Sequence, residues 1–410
     1  MKIRSVTYFD NPGSSLKSDF LRQAEKFNQE VKRAFQDANI ELQTIRFASP
    51  PYPILLKDMK TDQVIDYAIQ LERTLNSLDY EFISLGPALP DFPESYGLVP
   101  DLIESTENTF CSGLMTDPVK GVSLQAVKKC AEIIHRLTPL DPNGFSNLYF
   151  AALGNVPAGA PFFPAAYHHD GQPSFAIAIE GADLADQAFK GSPSFEAARN
   201  ELITQLEDLN ARLILIADNI KNTTGIDFSG IDYSLAPFPD KGLSIGKALE
   251  NLGLKELGQH GSLAGAAFLA DTIDLANIQR TGFSGLMLPV LEDSILAKRA
   301  AEGILSIKDL LLYSTVCGTG LDTIPLPGDI SADQISAILM DLAALSLRLD
   351  KPLTARLMPI PGKIAGENTN FDFAFFANSK VMEVETKGLS GLFTNEGFLD
   401  IRPRGRREQK

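Results

Sequence analysis

Short runs of alternating or continuous apolar residues recur along the chain, each followed by a stretch whose apolar positions fall every three or four residues. In "IRSVTYF", Ile3, Val6 and Tyr8 stand among β-branched neighbours and read as a strand. After "DNPGSS", Phe20, Leu21, Ala24, Phe27, Val31 and Phe35 mark one face of a helix. The alternation continues with "LQTIRFA" before a helix at about 62–78 and "YEFISLG" before a loop. A helix at about 123–137 and two further strands, "SNLYFAALG" and "SFAIAIEG", follow. Strand followed by helix, repeated, predicts an α/β fold built on a parallel sheet.

The longest predicted helix covers residues 192–222, with Ser192 as N-cap and Pro193 at its first position. Leu202, Leu206, Leu209, Leu213 and Ile216 form its buried stripe. Beyond it, "IDYSLAPF", "SGLMLPVL", "LDTIPLP" and "LTARLMPI" read as strands, alternating with helices at about 262–276, 294–315 and 331–348. These strands end in polar or proline-rich residues, on the side where α/β sheets and barrels carry their sites. About ten strand candidates, with no linker and no short repeat, predict a single α/β unit spanning residues 1–410.

Composition narrows the partners. The chain of 410 residues is 44% hydrophobic and 22% charged, with a formal net charge of -15. That acidity argues against nucleic acid, which needs a basic surface. The one basic cluster, Arg402, Arg404, Arg406 and Arg407, reads as a solvated tail. Cys111, Cys130 and Cys317 are too few and too scattered for a disulfide framework, so a reducing cytoplasm is expected. No apolar run reaches about 18 residues and the first residues lack a signal-peptide pattern, so neither export nor membrane insertion is expected.

Candidate chemistry concentrates in "VCGTGLDTIPLPGD", residues 316–329. Cys317, followed by Gly318 and Gly320, sits where a helix gives way to a close-approach loop, a setting for a thiolate nucleophile, a radical relay, a soft metal ligand or a small buried side chain. Asp322 and Asp329 stand at opposite ends of a short extended segment. Asp329 or Ser331 is the expected cap of the next helix, which leaves Asp322 as the candidate catalytic carboxylate. In "GQHGSLAGAAFL", His260 and Ser262 precede a helix whose free N–H groups suit an oxygen anion, and a structural histidine in a turn is the other reading.

Arg356 lies on an otherwise apolar strand and needs a partner if buried, which makes it a candidate clamp for a carboxylate or phosphate, or a partner for a buried acid. Asp232 supports the set. A divalent metal would have to be assembled from distant loops, with His168, His169 and Glu292 as candidate ligands, because no compact metal motif is present. G-x-G-x-x-G and P-loop signatures are absent from these sites, so no nucleotide cofactor is indicated. His135 and Cys130 read as packing residues of an amphipathic helix.

"VPAGAPFFPAAYH", "IDYSLAPFP", "GQHGSLAGAAFL", "FSGLMLPVLED", "VCGTGLDTIPLPGD", "LTARLMPIPGKIAGE" and "FDFAFFANSKVM" together resemble the domain of unknown function 711 family, over most of the chain. The resemblance implies a fold similar to the ten-stranded α/β barrel of the pyruvate formate-lyase-like group, with two five-stranded halves around a central loop. It would set the Cys317 loop near the barrel interior. The glycyl-radical signature of that group is missing from "TKGLSGLFTNEGFLDIRPRGRREQK", which argues against radical catalysis. Fold alone fixes no reaction. The leading expectation is therefore a non-radical hydrolase or lyase, with or without a metal, acting on a small polar or anionic metabolite in an interior pocket. Cys317 would be nucleophile or ligand, His260 the acid–base group and Arg356 the anion clamp, with Asp232, Ser262 and Gly318 lining the site. A metabolite-binding regulatory protein on a barrel that has lost its chemistry is the alternative. Association into a homo-oligomer is expected from the large apolar surfaces of such barrels.

Overall fold

The computed structural model describes residues 2–169, 171–240, 242–316 and 318–403. Cys317, Asp170, Arg404, Arg406 and Arg407 lie outside the described residues.

In chain order the strands are β1 (Lys2–Phe9), β2 (Leu42–Ala48), β3 (Phe82–Ala88), β4 (Thr109–Leu114), β5 (Thr116–Asp117), β6 (Gly121–Ser123), β7 (Phe150–Gly154), β8 (Ser174–Glu180), β9 (Asp227–Ala236), β10 (Gly320–Pro327), β11 (Leu353–Ile360) and β12 (Phe398–Leu399). Nine of them form one sheet in the order β10-β11-β7-β4-β3-β2-β1-β8-β9, and β12, β6 and β5 form a small separate one. Neighbours in the large sheet pair in parallel except at β1·β8 and β7·β11, which are antiparallel. It therefore consists of parallel stretches that run in opposite directions.

The two faces of this sheet are chemically different. On β1, Ile3, Val6 and Tyr8 join the main apolar core with residues of the covering helices, such as Phe27, Leu202 and Leu206. Phe9 on the same strand instead joins a separate cluster with Ala48, Phe110, Phe163, Ala166 and Ala176. Period-two alternation thus sends one set of side chains outward to the helices and the other to an inner face. The inner face is filled partly by the loop from β7 to β8. Ser84 Oγ donates to Ala166 O at 2.6 Å, and His168 N donates to Ser49 O at 2.9 Å.

The sheet is strongly curled. Arg4 on β1 and Arg356 on β11 are five strand positions apart, about 24 Å in a flat sheet at roughly 4.8 Å per strand. Yet both guanidinium groups hydrogen-bond the one carboxylate of Glu292, at 2.8 and 2.6 Å. Against the expected ten-stranded barrel, the sheet has nine strands and no closed barrel is seen: among the described residues no continuous ladder joins β9 to β10. The predicted strand "SGLMLPVL" explains the difference. Its segment touches β9 at one end, where Thr281 N donates to Ile231 O, and β10 at the other, where Val290 N donates to Asp322 O, both at 3.0 Å. Between these points Gly282 and Ser284 take positive φ, and Pro289 has no N–H to give, so a regular ladder cannot run through.

Other boundaries moved for local reasons. The longest helix is Phe195–Thr224, capped by Ser194 rather than Ser192. The predicted 294–315 helix is two, Ser294–Ala301 and Ile307–Tyr313. Gly303 at φ +74 stops the first, and a Ser306/Asp309 capping box starts the second. Ser331, not Asp329, caps the helix Ala332–Leu349. His135 Nδ1 lies 3.2 Å from Ile330 O, and Cys130 and Cys111 are buried in the core. No helix among the described residues is long and apolar enough to cross a membrane.

Candidate functional site

The inner face encloses a cavity of about 610 Å³. Its walls come from the N-terminal halves of β1 and β2, the C-terminal ends of β8 and β9, the middle of β11 and the irregular segment ending at Glu292. Because β1 and β2 run against β8 and β9, these are the same end of the sheet. Arginines, carboxylates and phenylalanines meet there.

Arg356 is held on all sides. Its Nε donates to Asp322 Oδ1 at 2.6 Å, and its Nη2 donates to Asp322 Oδ2 at 3.0 Å and to Glu292 Oε1 at 2.6 Å. Asp322 reaches it through a local irregularity: the β10·β11 register shifts between Leu321 and Ile324, and Thr323 sits at φ +45. Gly320 permits the close approach beneath, since a Cβ there would stand 2.2 Å from Thr354 O. Glu292 is set by its neighbour. Asp293 caps Ser294–Ala301 and also accepts from Ser244 Oγ at 2.6 Å and Gly246 N at 3.1 Å, fixing the chain immediately after Glu292.

Arg4 completes this network but does not exhaust itself in it. Its Nη2 donates to Glu292 Oε2 at 2.8 Å, while its Nη1 is buried without a hydrogen-bond partner among the described residues. Arg46, on the neighbouring strand β2 and on the wall of the same cavity, has less. Its Nε donates to Thr44 Oγ1 at 2.8 Å, and no carboxylate among the described residues forms an ion pair with it. It is flanked by the rings of Phe82 and Phe163, at 5.5 and 5.2 Å from their centroids, and the Arg46↔Phe82 register pairing places the first of these. The surface it retains faces the cavity.

The electrostatics follow from these contacts. Burial, with repulsion from Arg4 and Arg356 that attraction from Glu81 and Glu292 only partly offsets, pushes the Arg46 guanidinium down to about 9. Burial acts against the Glu292 carboxylate, but Arg356 and Arg4 hold it below its ordinary range. Burial raises Asp322 despite Arg356. Asp232 is also raised by burial, yet it is saturated by donors: Ser234 N and Oγ, Phe283 N and Ser284 N at 2.6 to 3.0 Å. It clasps the 281–285 turn against β9. A unit negative charge about 4 Å from Arg46 would gain roughly 4 kcal/mol at an effective dielectric near 20, against about 1 in water.

The structure brings together Arg356, Asp322, Glu292 and Asp232 from the sequence-derived set. Arg356, Glu292 and Asp232 line the cavity, with Asp322 fully buried behind Arg356. His260 is exposed just before the helix Ser262–Leu275 and is not on the cavity wall. Ser262 is fully buried there, its Oγ accepting from Gly258 N at 3.0 Å. Gly318 lies outside the wall, with φ +127. His168 is buried in the β7–β8 loop and His169 is exposed. Both oxygens of Glu292 are held by arginines, and among the described residues no three His, Cys, Asp or Glu side chains gather to hold a metal ion. Arg4, Arg46 and the aromatic wall were not singled out from the sequence. The rule that flagged Arg356, an arginine inside an apolar strand, applies equally to "IRSVTYF" and "TIRFA".

The family model described as Uncharacterised ACR (DUF711) matches residues 1–379. A UPF0210 protein of Pyrobaculum aerophilum is 30% identical over 88% of this chain and 82% of its own length. Its counterpart in Acetivibrio thermocellus is 27% identical over 92% and 84%, and that of Oenococcus oeni 26% over 96% and 93%. Among solved structures, an aldolase designated QR15 aligns with 33% of this chain and 62% of its own at 13% identity. Its TM-score of 0.18 is too slight a likeness to inform the fold.

Proposed function

The chain belongs to the Uncharacterised ACR (DUF711) family, and we propose that it binds a small anionic metabolite in the inner cavity, as a cytoplasmic protein of one α/β unit. The observation that carries the reading is Arg46: a guanidinium on the cavity wall that forms no ion pair among the described residues, near an Arg4 Nη1 that has no hydrogen-bond partner among them. Proteins rarely hold a cation this way unless something else supplies the charge. Arg356, by contrast, is a structural clamp on Glu292 and Asp322 and also braces the wall that faces the ligand.

The curled sheet fits two parallel halves set against each other, in the manner of a ten-stranded barrel. The two antiparallel joints, β1·β8 and β7·β11, support that description, as do the bridges of the 279–292 segment to both edge strands. The β7–β8 loop then fills the interior, as a central loop does.

On this site a non-radical hydrolase or lyase would draw on Asp322, and on Cys317 five residues before it in sequence. A metabolite-binding regulator is the second reading. One observation favours it: both carboxylate oxygens of Asp232, Glu292 and Asp322 already accept hydrogen bonds within the protein, which weakens each of them as a base. A thermal-shift screen of anionic metabolites against wild type and Arg46→Met tests the binding proposal. Ligands that stabilise wild type and not the variant support it, and ligands that stabilise both equally contradict it. Incubating each ligand with the protein and analysing the products then separates the two readings, since turnover lost in Cys317→Ala identifies the enzyme.

A further inference from the structure

We propose that the ligand is a monocarboxylate on an aromatic or bulky apolar body, its carboxylate against Arg46 and Arg4 and its body among the phenylalanine rings. This assignment rests on the anion-binding reading above and names the class of ligand.

Charge selects the head. Arg4 and Arg356 are balanced by Glu292 and Asp322, and the charge of Asp232 is solvated by its own four donors. Arg46 is the arginine of this wall that forms no ion pair among the described residues, Glu81 and Glu292 acting on it only from beyond ion-pair distance, so it is the place where a single negative charge would be received. A phosphomonoester dianion would bring a second into a site that already holds Glu292 and Asp322. Geometry agrees. With Nε occupied by Thr44 Oγ1, the free edge of Arg46 is its pair of Nη groups, a planar fork that matches the two oxygens of a carboxylate. Phe82 and Phe163 hold the plane of that fork, and Arg4 Nη1 offers a further donor.

The walls select the body. Tyr149, Phe110, Phe162, Phe238, Phe373 and Phe375 line much of the rest of the cavity, whose wall also includes Lys2, Glu41 and Gln43. The hydroxyls nearest the arginines are already used: Ser234 Oγ donates to Asp232, and Thr44 Oγ1 donates to Arg4 O while accepting from Arg46. Lys2 is paired with Glu41 and Gln43 donates to Glu180, so beyond the Tyr149 hydroxyl a sugar or polyol would find few partners there, and each unmet hydroxyl is penalised. An aryl or alkyl body would instead pack on rings, which is how selective small-molecule sites are ordinarily lined.

The test is calorimetric titration of the full-length protein at about pH 7.5 with 3-phenylpropionate, its neutral isostere 3-phenylpropanamide, phenyl phosphate and inorganic phosphate. The expected result is binding of the acid, with the amide weaker by about 30-fold, the loss of a charge-assisted hydrogen-bond pair. Phenyl phosphate is expected to bind about tenfold more weakly than the acid, the scale of one unmatched charge. Arg46→Met should abolish the preference for acid over amide. Phenyl phosphate binding as tightly as the acid, and dependent on Arg46, overturns the monocarboxylate assignment and leaves the anion cavity standing. So does Arg46-dependent binding of inorganic phosphate when phenylpropionate does not bind. Equal binding of acid and amide, a preference that survives in both Arg46→Met and Arg46→Gln, or no binding of any probe at millimolar concentration overturns both.

Discussion

Arg356 and Arg46 face the same cavity from different strands, and among the described residues Arg356 alone of the two is matched: it donates to both Asp322 and Glu292, whereas Arg46 donates to Thr44 Oγ1 and forms no ion pair. Two arginines in one site with opposite pairing should respond in opposite ways to removal.

Arg356→Met leaves Asp322 buried without a cation and should cost about 3–5 kcal/mol of stability. The loss carries a pH signature. Burial already raises Asp322 in the folded state, and removing Arg356 raises it further. A carboxyl whose folded value lies above its unfolded one penalises folding most at high pH. The penalty shrinks as pH falls through the folded value toward the unfolded one, near about 3.9. Urea unfolding at about pH 8 and 5.5 checks this. A deficit that is equal at both, or below about 1 kcal/mol, would contradict the pairing.

Glu292→Gln keeps the shape of the acid but releases one positive charge from Arg4 and Arg356. Anion affinity should rise, and more for phenyl phosphate than for 3-phenylpropionate, by about tenfold in their ratio for one added charge nearby. Titration of both ligands against the variant measures that ratio. An unchanged or falling ratio would show that local charge does not set the preference.

Asp293 holds the chain just after Glu292. Asp293→Ala removes the cap of Ser294–Ala301 and strands Ser244 Oγ and Gly246 N, so it should destabilise by about 2–4 kcal/mol. Asp293→Asn keeps one acceptor oxygen and should cost less. Thermal and urea unfolding of both give the order, and an alanine variant within about 0.5 kcal/mol of wild type would refute the role.

Phe82→Leu removes one of the two rings that hold Arg46 in plane. Anion affinity should fall about two- to fivefold, the scale of an exposed to partly desolvated cation–π contact. Calorimetry of 3-phenylpropionate binding checks it, and affinity equal to wild type would mean that Phe163 alone suffices.

Much of this architecture is legible in the sequence. The apolar periods of "IRSVTYF", "LQTIRFA" and "LTARLMPI" mark strands that do form, and the i, i+3, i+4 stripe from Leu202 to Ile216 marks a helix that does. The short strand Thr109–Leu114 escaped because "TFCSGL" mixes small and polar residues that are stabilised only by neighbours on both sides. "SGLMLPVL" has strand composition but not strand pairing, because Gly282, Ser284 and Pro289 break the ladder and turn its end toward the cavity. Arg356, Asp322, Glu292 and Asp232 were identifiable as polar residues in apolar strands or at strand ends. Their partnership was not, since it depends on a register shift at Leu321–Ile324 and on the curl of the sheet. His260 stood out by its glycine setting, but a turn before a helix is also where a chain simply exposes a histidine.

Arg46→Met, compared with wild type in ligand-free buffer and again with 3-phenylpropionate, tests the central claim most directly. The account predicts an unfolding free energy within about 1 kcal/mol of wild type or above it, because an unbalanced cation is removed at the cost of two ring contacts. It also predicts that stabilisation by the carboxylate disappears. A loss of more than about 2 kcal/mol without ligand, or stabilisation that persists in the variant, would show that Arg46 serves the fold and not a ligand.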